Sequence, residues 1–399
     1  MKETTGKYLA NRRSFLRTAA AVGLGTTGAS LLSSFAPLPA LANEHEPDFV
    51  GRRGPNFTLR DGVFYFAGTN NYYLHYNSHF MIDDVLNNAV AMGLAVVRLW
   101  GFLDGNAANG FVMQPTPGVY PEDGYERFDY TVWKAHQLGL KLVVALTNNW
   151  NDFGGMQQYV TWFGGTDHDE FYTNEQIKDA YKDYVRHFIH RKNRYTNRVL
   201  IEEPAIMTWE LANEPRCQSD PTGNTLLNWV HEMSSFIKSM DWRHLVSVGD
   251  EGFYNNPGST DYTYNGGSGV DWKRLIALPT IDYGTMHLYP QGWGKDQAWA
   301  LQWIKDHLHD AHIAHKPVVL EEYGWNDLTT RDAIYQTWLD TMYQGGGNGD
   351  QFWILTGLQD DGTLYPNYDG YRVTYPSSTA SVISAHAAQM KAKSGRHAR

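Results

Sequence analysis

Ala205-Ile206-Met207-Thr208-Trp209-Glu210-Leu211-Ala212-Asn213-Glu214-Pro215 is the stretch on which the fold turns. Its apolar opening reads as a buried strand. Pro215 lacks a backbone N–H and cannot continue a sheet ladder, so the strand must end before it. Asn213 and Glu214 are thereby left at the strand's C-terminal mouth. A second acid ends a similar run downstream, Lys316-Pro317-Val318-Val319-Leu320-Glu321-Glu322-Tyr323-Gly324-Trp325.

Other apolar runs stand outward from these two. Gly62 to Gly68 reads as a first strand, preceded by a short linker or lead-in from Glu44 to Asn56. Leu94 to Trp100, Leu140 to Leu146, Leu245 to Gly249, Ile281 to Leu288 and Gln351 to Leu355 follow the same pattern of strands buried on both faces. Between them lie amphipathic helices: Ile82 to Gly93, Phe128 to Leu138, one opened by a capping box at Thr173-x-x-Gln176, one with Trp229, Met233, Phe236, Ile237 and Met240 on one stripe, Gln297 to His315, Ala333 to Tyr343, and Ala380 to Lys391. The helix after Thr173 buries Ile177, Tyr181, Tyr184, Val185 and Phe188 by its spacing. Gly252 to Asp271 reads as a long loop.

Eight strands alternating with helices imply a parallel sheet. Eight units in roughly 350 residues fit an α/β (β/α)8 TIM barrel in a single domain. No glycine-rich phosphate fingerprint follows the first strand, which disfavours a doubly wound sheet.

The 399-residue chain is 42% hydrophobic and 14% aromatic, with 14 Trp and 25 Tyr, more aromatic surface than a core requires. The N-terminus reads as an export signal spanning residues 1–42. Arg12-Arg13-Ser14-Phe15-Leu16 precedes a mildly apolar run and an Ala40-Leu41-Ala42 cleavage pattern, with the paired arginines of a twin-arginine signal; an ordinary Sec signal is the alternative. The catalytic domain is then 43–399, secreted or periplasmic. Removing the signal takes the net charge from −10 to about −14, which argues against nucleic acid and anionic membrane as partners. The single cysteine, Cys217, cannot form an intrachain disulfide and reads as a buried thiol.

A TIM barrel carries its chemistry at the C-terminal ends of its strands. Arg98, Asn149, Asn213, Glu214, His287, Tyr289, Glu322 and Trp353 collect there. Each alone suits a helix cap or an ion pair; so many converging ends are harder to explain that way. Two carboxylates across one mouth are what glycoside hydrolysis needs: one protonates the leaving oxygen, and the other attacks the anomeric carbon or activates water, depending on their separation. Glu321 competes with Glu322, and adjacent strand residues point to opposite faces. Glu210, four residues before Glu214, shares its face but lies deeper. His307, His309, His312 and His315 fall on one helix outside the mouth and lack the convergence of a metal site.

Asn213-Glu214-Pro215 and Glu322-Tyr323-Gly324, with Arg98 and His287-Leu288-Tyr289, resemble glycoside hydrolase family 5 of clan A. The stretch Asn148-Asn149-Trp150-Asn151-Asp152-Phe153-Gly154-Gly155-Met156-Gln157-Gln158-Tyr159, with Arg216 and Cys217 after Pro215, resembles its endo-β-1,4-mannanases. The resemblance implies a retaining, endo-acting hydrolase of mannan, glucomannan or galactomannan without a cofactor or metal. It implies Glu214 as acid/base and Glu322 as nucleophile. Arg98, Asn213, His287, Tyr289 and Trp353 would hold the reacting sugar, Trp150 a donor-side sugar and Arg216 an acceptor-side sugar. Trp100 and Asn149 complete the expected substrate-binding set, in a chain expected to be monomeric. A β-1,4-glucanase with the same acid pair, and a non-catalytic carbohydrate-binding barrel, are the alternatives.

Overall fold

The computed structural model describes residues 48–106 and 108–394. The expected export signal and its cleavage site lie outside the described residues. Eight strands form one sheet: β4 (Phe66–Asn70), β5 (Val96–Trp100), β6 (Lys141–Ala145), β7 (Ile206–Glu210), β8 (Leu245–Ser247), β9 (Gly284–Leu288), β10 (Val318–Tyr323) and β11 (Gly349–Phe352). Every neighbouring pair is parallel, in the order β8-β7-β6-β5-β4-β11-β10-β9. The two remaining edges meet through Asp282, whose N–H donates to Val246 O at 2.8 Å and whose carboxylate accepts from Val246 N at 2.7 Å. The sheet is a TIM barrel, as the strand–helix alternation implies.

Ahead of it lies a small antiparallel sheet of β1 (Gly51–Arg53), β2 (Asn56–Leu59) and β3 (Gly62–Phe64). This corrects two readings. The lead-in is not a linker, and Gly62 to Gly68 is two strands, not one. Arg60 and Asp61 take left-handed φ values of 48° and 65°, folding β3 back onto β2, so the barrel starts only at Phe66. Phe57, Phe66, Val96, Val143, Met207, Leu245, Tyr283 and Val319 form a closed apolar cluster, with Leu59 and Phe64 packed on it. That cluster joins the small sheet to the inward-facing residues at the strands' N-terminal ends.

The larger core lies between strands and helices. The helices with ranges expected from sequence are α1 (His79–Ala91), α2 (Glu126–Leu138), α5 (Glu175–His190), α6 (Asn224–Met240), α8 (Gln297–Ala314), α9 (Arg331–Gly345) and α10 (Ser378–Lys393); α3 (Gly155–Trp162), α4 (Glu170–Thr173) and α7 (Trp272–Ala277) are additional. The α5 cap is Asn174, whose side chain accepts from Gln176 N at 3.0 Å; Thr173 instead ends the single turn of α4. The expected apolar face of α5 is fully buried. On α8, His307 is buried and bonded to Trp303 O and Gly252 O, while His309, His312 and His315 are exposed, so the four histidines do not converge. No helix among the described residues is long and apolar enough to cross a membrane.

Candidate active site

The chain continues past β7 for three residues, Leu211 to Asn213, before Glu214, and neighbouring strand extensions pin it on both sides. Asn213 N donates to Thr147 O at 2.8 Å and Glu214 N to Gly249 O at 2.8 Å. Glu214 itself has φ 51°, a left-handed conformation uncommon outside glycine. Gly249 lies against this turn at φ 84°, where a Cβ would meet Ala212 O at 2.1 Å, so only glycine fits.

The Glu214 carboxyl accepts from Trp150 Nε1 at 2.6 Å and lies 2.7 Å from His287 Nδ1. Glu322 accepts from the Tyr289 hydroxyl at 2.7 Å and from Arg98 Nη1 at 2.5 Å. One oxygen of each carboxyl and Nδ1 of His287 lie within 4.8 Å of one another. Burial raises both carboxyls above their ordinary range. Donors oppose the rise: Trp150 and the Arg216 charge at Glu214, His287 and Arg98 at Glu322. His287 is pulled below its ordinary value, first by burial.

Beneath the pair, Arg98 is fully buried and saturated. It donates to Glu210, Asn70, Asn213 and Glu322. Glu210 is buried alongside it, deeper than Glu214. Arg98 and His287 therefore do not line the cleft. Their contacts are with the carboxyls, because both side chains project from mid-strand into the barrel. Asn149 lines a groove adjoining the cleft, beside Trp150 and Arg216, its Oδ1 accepting from Arg216 N at 3.2 Å, while Asn148 lines the cleft itself.

The cleft above is about 590 Å³. Trp100, Trp150, Asn213, Glu214, Arg216, Tyr289, Glu322 and Trp353 all line it. Trp150 and Arg216 are not on opposite sides as expected. The Arg216 guanidinium lies 5.2 Å from the Trp150 ring, and both also wall an adjoining polar groove with His168, Gln218 and Ser219. The other flank is aromatic: Tyr72 stacks on Trp353 at 5.9 Å, and Trp353 Nε1 donates to Asp369 at 2.6 Å.

Several lining residues were not foreseen: Tyr72, Phe153, Glu251, Trp293, Asp369 and Tyr371. Glu251 follows the β8 run and accepts from Arg216 twice, both at 2.6 Å; it is an acid at a strand end, the same signal that marks Glu214. Burial and the Glu214 charge push it up to about 7. Asp369 lies far past β11 in an irregular segment, where no periodicity marks it.

Adjacent residues of β10 give a further correction. Glu321 and Glu322 do not point to opposite faces. The register of β10 against β9 shifts between Leu320 and Glu322. Val319 and Glu321 keep the inward alternation, and the bulge turns Glu322 inward as well.

Two carboxyls about 5 Å apart at the mouth of a TIM barrel, under an aromatic cleft, define a glycoside hydrolase. Residues 47–359 match the model for glycoside hydrolase family 5, β-mannosidase-like. The mannan endo-1,4-β-mannosidase A of Podospora anserina is 35% identical, over 90% of this chain and 96% of the relative. The solved endo-1,4-β-D-mannanase of Thermotoga petrophila is 50% identical, with TM-score 0.78, over 82% of this chain and 100% of that one. The endo-1,4-β-mannanase of Rhizomucor miehei is 38% identical, with TM-score 0.81, over 86% and 99%. The chain belongs to glycoside hydrolase family 5.

Proposed function

We propose that this chain is a mannan endo-1,4-β-mannosidase that cuts internal bonds of β-mannan with retention. The observation that carries retention is the spacing of Glu214 and Glu322, with oxygens within 4.8 Å. Retaining enzymes hold their carboxyls about 5–5.5 Å apart, whereas inverting ones leave roughly 6.5–9.5 Å for a water. Relatives named for endo-acting mannan hydrolysis, matched over most of both chains, support the substrate. An open cleft walled by aromatic rings suits an internal stretch of polysaccharide.

Glu322, oriented by Tyr289 and Arg98, attacks the anomeric carbon while the bond to the leaving oxygen breaks. Glu214 gives that oxygen its proton. In the second step Glu214, now ionised, takes a proton from water. The water oxygen bonds the anomeric carbon and the Glu322 ester bond breaks. Residues 1–42 direct export, in this reading, and bring the enzyme to its polymer.

Proton NMR during early hydrolysis of mannohexaose tests this. The β anomer is expected first. An α anomer first would mean inversion, and turnover of a β-1,4-glucan oligomer in its place would make the chain a glucanase. Binding without reducing ends would leave a carbohydrate-binding barrel.

A further inference from the structure

One carboxyl in the barrel has no role in the steps above. Glu321 is fully buried, and among the described residues no N–H or hydroxyl donor bonds either of its oxygens; its carboxyl lies against that of Glu210. His287 Nε2, also buried, is equally unpartnered. These orphans face each other: His287 Nε2 and Glu321 Oε2 are 3.6 Å apart. The other imidazole nitrogen, Nδ1, is 2.7 Å from Glu214. Glu214, His287 and Glu321 thus form a line from the cleft to the barrel interior. The His287 backbone is fixed on both sides, by its N–H to Glu251 O and by Trp303 Nε1 to its carbonyl.

The groups around Glu321 decide its charge. β5 brings Arg98, β7 brings Glu210, the β9 segment brings His287 and Tyr283, and β10 adds Glu322. Arg98 ion-pairs with all three carboxyls, with Glu321 at the longest distance, 3.7 Å. Glu210 takes three hydrogen bonds from it, and Glu322 takes one plus that of Tyr289. One cation cannot neutralise three buried anions, and an uncompensated buried charge is costly. The proton belongs on the carboxyl that no donor serves. Burial and the neighbouring Glu210 charge likewise hold Glu321 well above the carboxylate range.

We propose that Glu321 is a neutral carboxylic acid that positions His287 for both protonation states of Glu214. A neutral acid has a hydroxyl to donate and a carbonyl to accept. With Glu214 ionised, Nδ1–H of His287 donates to it, and Nε2 accepts from the Glu321 hydroxyl. With Glu214 protonated, its hydroxyl donates to Nδ1, and Nε2–H donates to the Glu321 carbonyl. Only the imidazole tautomer changes, and no net charge enters the barrel. The proposal rests on Glu214 as acid/base. It makes Glu321 a positioning residue, acting through His287.

The test compares wild type, Glu321→Gln and Glu321→Leu on mannohexaose across pH. Gln also donates and accepts, so kcat should stay within about threefold and both limbs of the profile should hold. Leu leaves Nε2 without a partner. Its kcat should fall by about 10²-fold, and its basic limb should move up, because ionised Glu214 loses an oriented donor. Equal losses in Gln and Leu would mean that Glu321 works as an anion, and would overturn the proposal. So would a Leu variant with the wild-type profile. Infrared difference spectroscopy reads the proton directly, even where Leu fails to fold. The wild-type spectrum minus that of Glu321→Gln should show one buried carboxylic-acid C=O band at neutral pH, over and above those of other protonated carboxyls such as Glu214. A carboxylate band in its place, or no difference band, breaks this proposal, whereas an inactive wild type breaks the mannanase reading instead.

Discussion

The two ends of this barrel are built from one alternation and contain opposite chemistry. At the N-terminal end the inward residues are Phe66, Val96, Val143, Met207, Leu245 and Val319, sealed by Phe57 from the small sheet. Further along the same strands stand Asn70, Arg98, Glu210 and Glu321, and beyond them Glu214 and Glu322. The first end gains stability by excluding water from apolar surface. The second holds four carboxyls in low dielectric, where their charges are answerable to a few donors. Stability and chemistry are therefore separable along each strand, and substitutions at the two ends should have different signatures.

Removing the nucleophile sharpens that contrast most. Glu322→Ala should lower kcat by about 10⁴-fold or more on mannan and on aryl mannosides with activated leaving groups alike. Steady-state rates on both substrates check this, and activity surviving on the aryl substrate would take the nucleophile role from Glu322. Glu214→Ala should cost about 10²–10⁴-fold on mannan and much less on the activated substrate, which needs no proton for departure. Equal losses on the two would break the assignment of roles.

At the other end, Phe57→Ala empties a fully buried aromatic site packed against Phe66 and Tyr283. It should cost about 3–5 kcal/mol of stability by denaturant titration while kcat stays unchanged. A large fall in kcat at full occupancy of the folded state would show that the ends are coupled. The smallest effect concerns pH. Trp150 donates to Glu214 and favours its ionised form. Trp150→Phe removes that donor, so Glu214 should keep its proton to higher pH, and the basic limb of kcat/KM should move upward. A downward shift in a pH–rate profile would contradict this sign.

The sequence made the barrel legible because each parallel strand is buried on both faces and reads as an apolar run. It failed where local backbone geometry overrides the run. Gly62 to Gly68 is uniformly strand-like, and its halves are separated at Tyr65, whose backbone N–H and C=O bond the Ser394 hydroxyl and not a neighbouring strand. Glu214 and Glu322 were nameable because each is an acid that ends an apolar strand. Glu251 carried the same mark and was passed over, while Asp369 and Tyr371 carry no mark at all. Asn148 and Asn149 divide between the cleft and the groove beside it, and nothing in adjacent asparagines tells which faces which.

From composition and order alone, this chain determined eight parallel strands, their helices, and two acids at strand ends. Those follow from periodicity and from the burial of apolar side chains, which are local properties. Only the tertiary structure decided which groups face each other. The bulge after Leu320 turned Glu322 inward beside Glu321, and closure of the sheet gathered them around Arg98. Register and closure join residues more than a hundred positions apart, and electrostatics depends on distance through space, which no local pattern encodes.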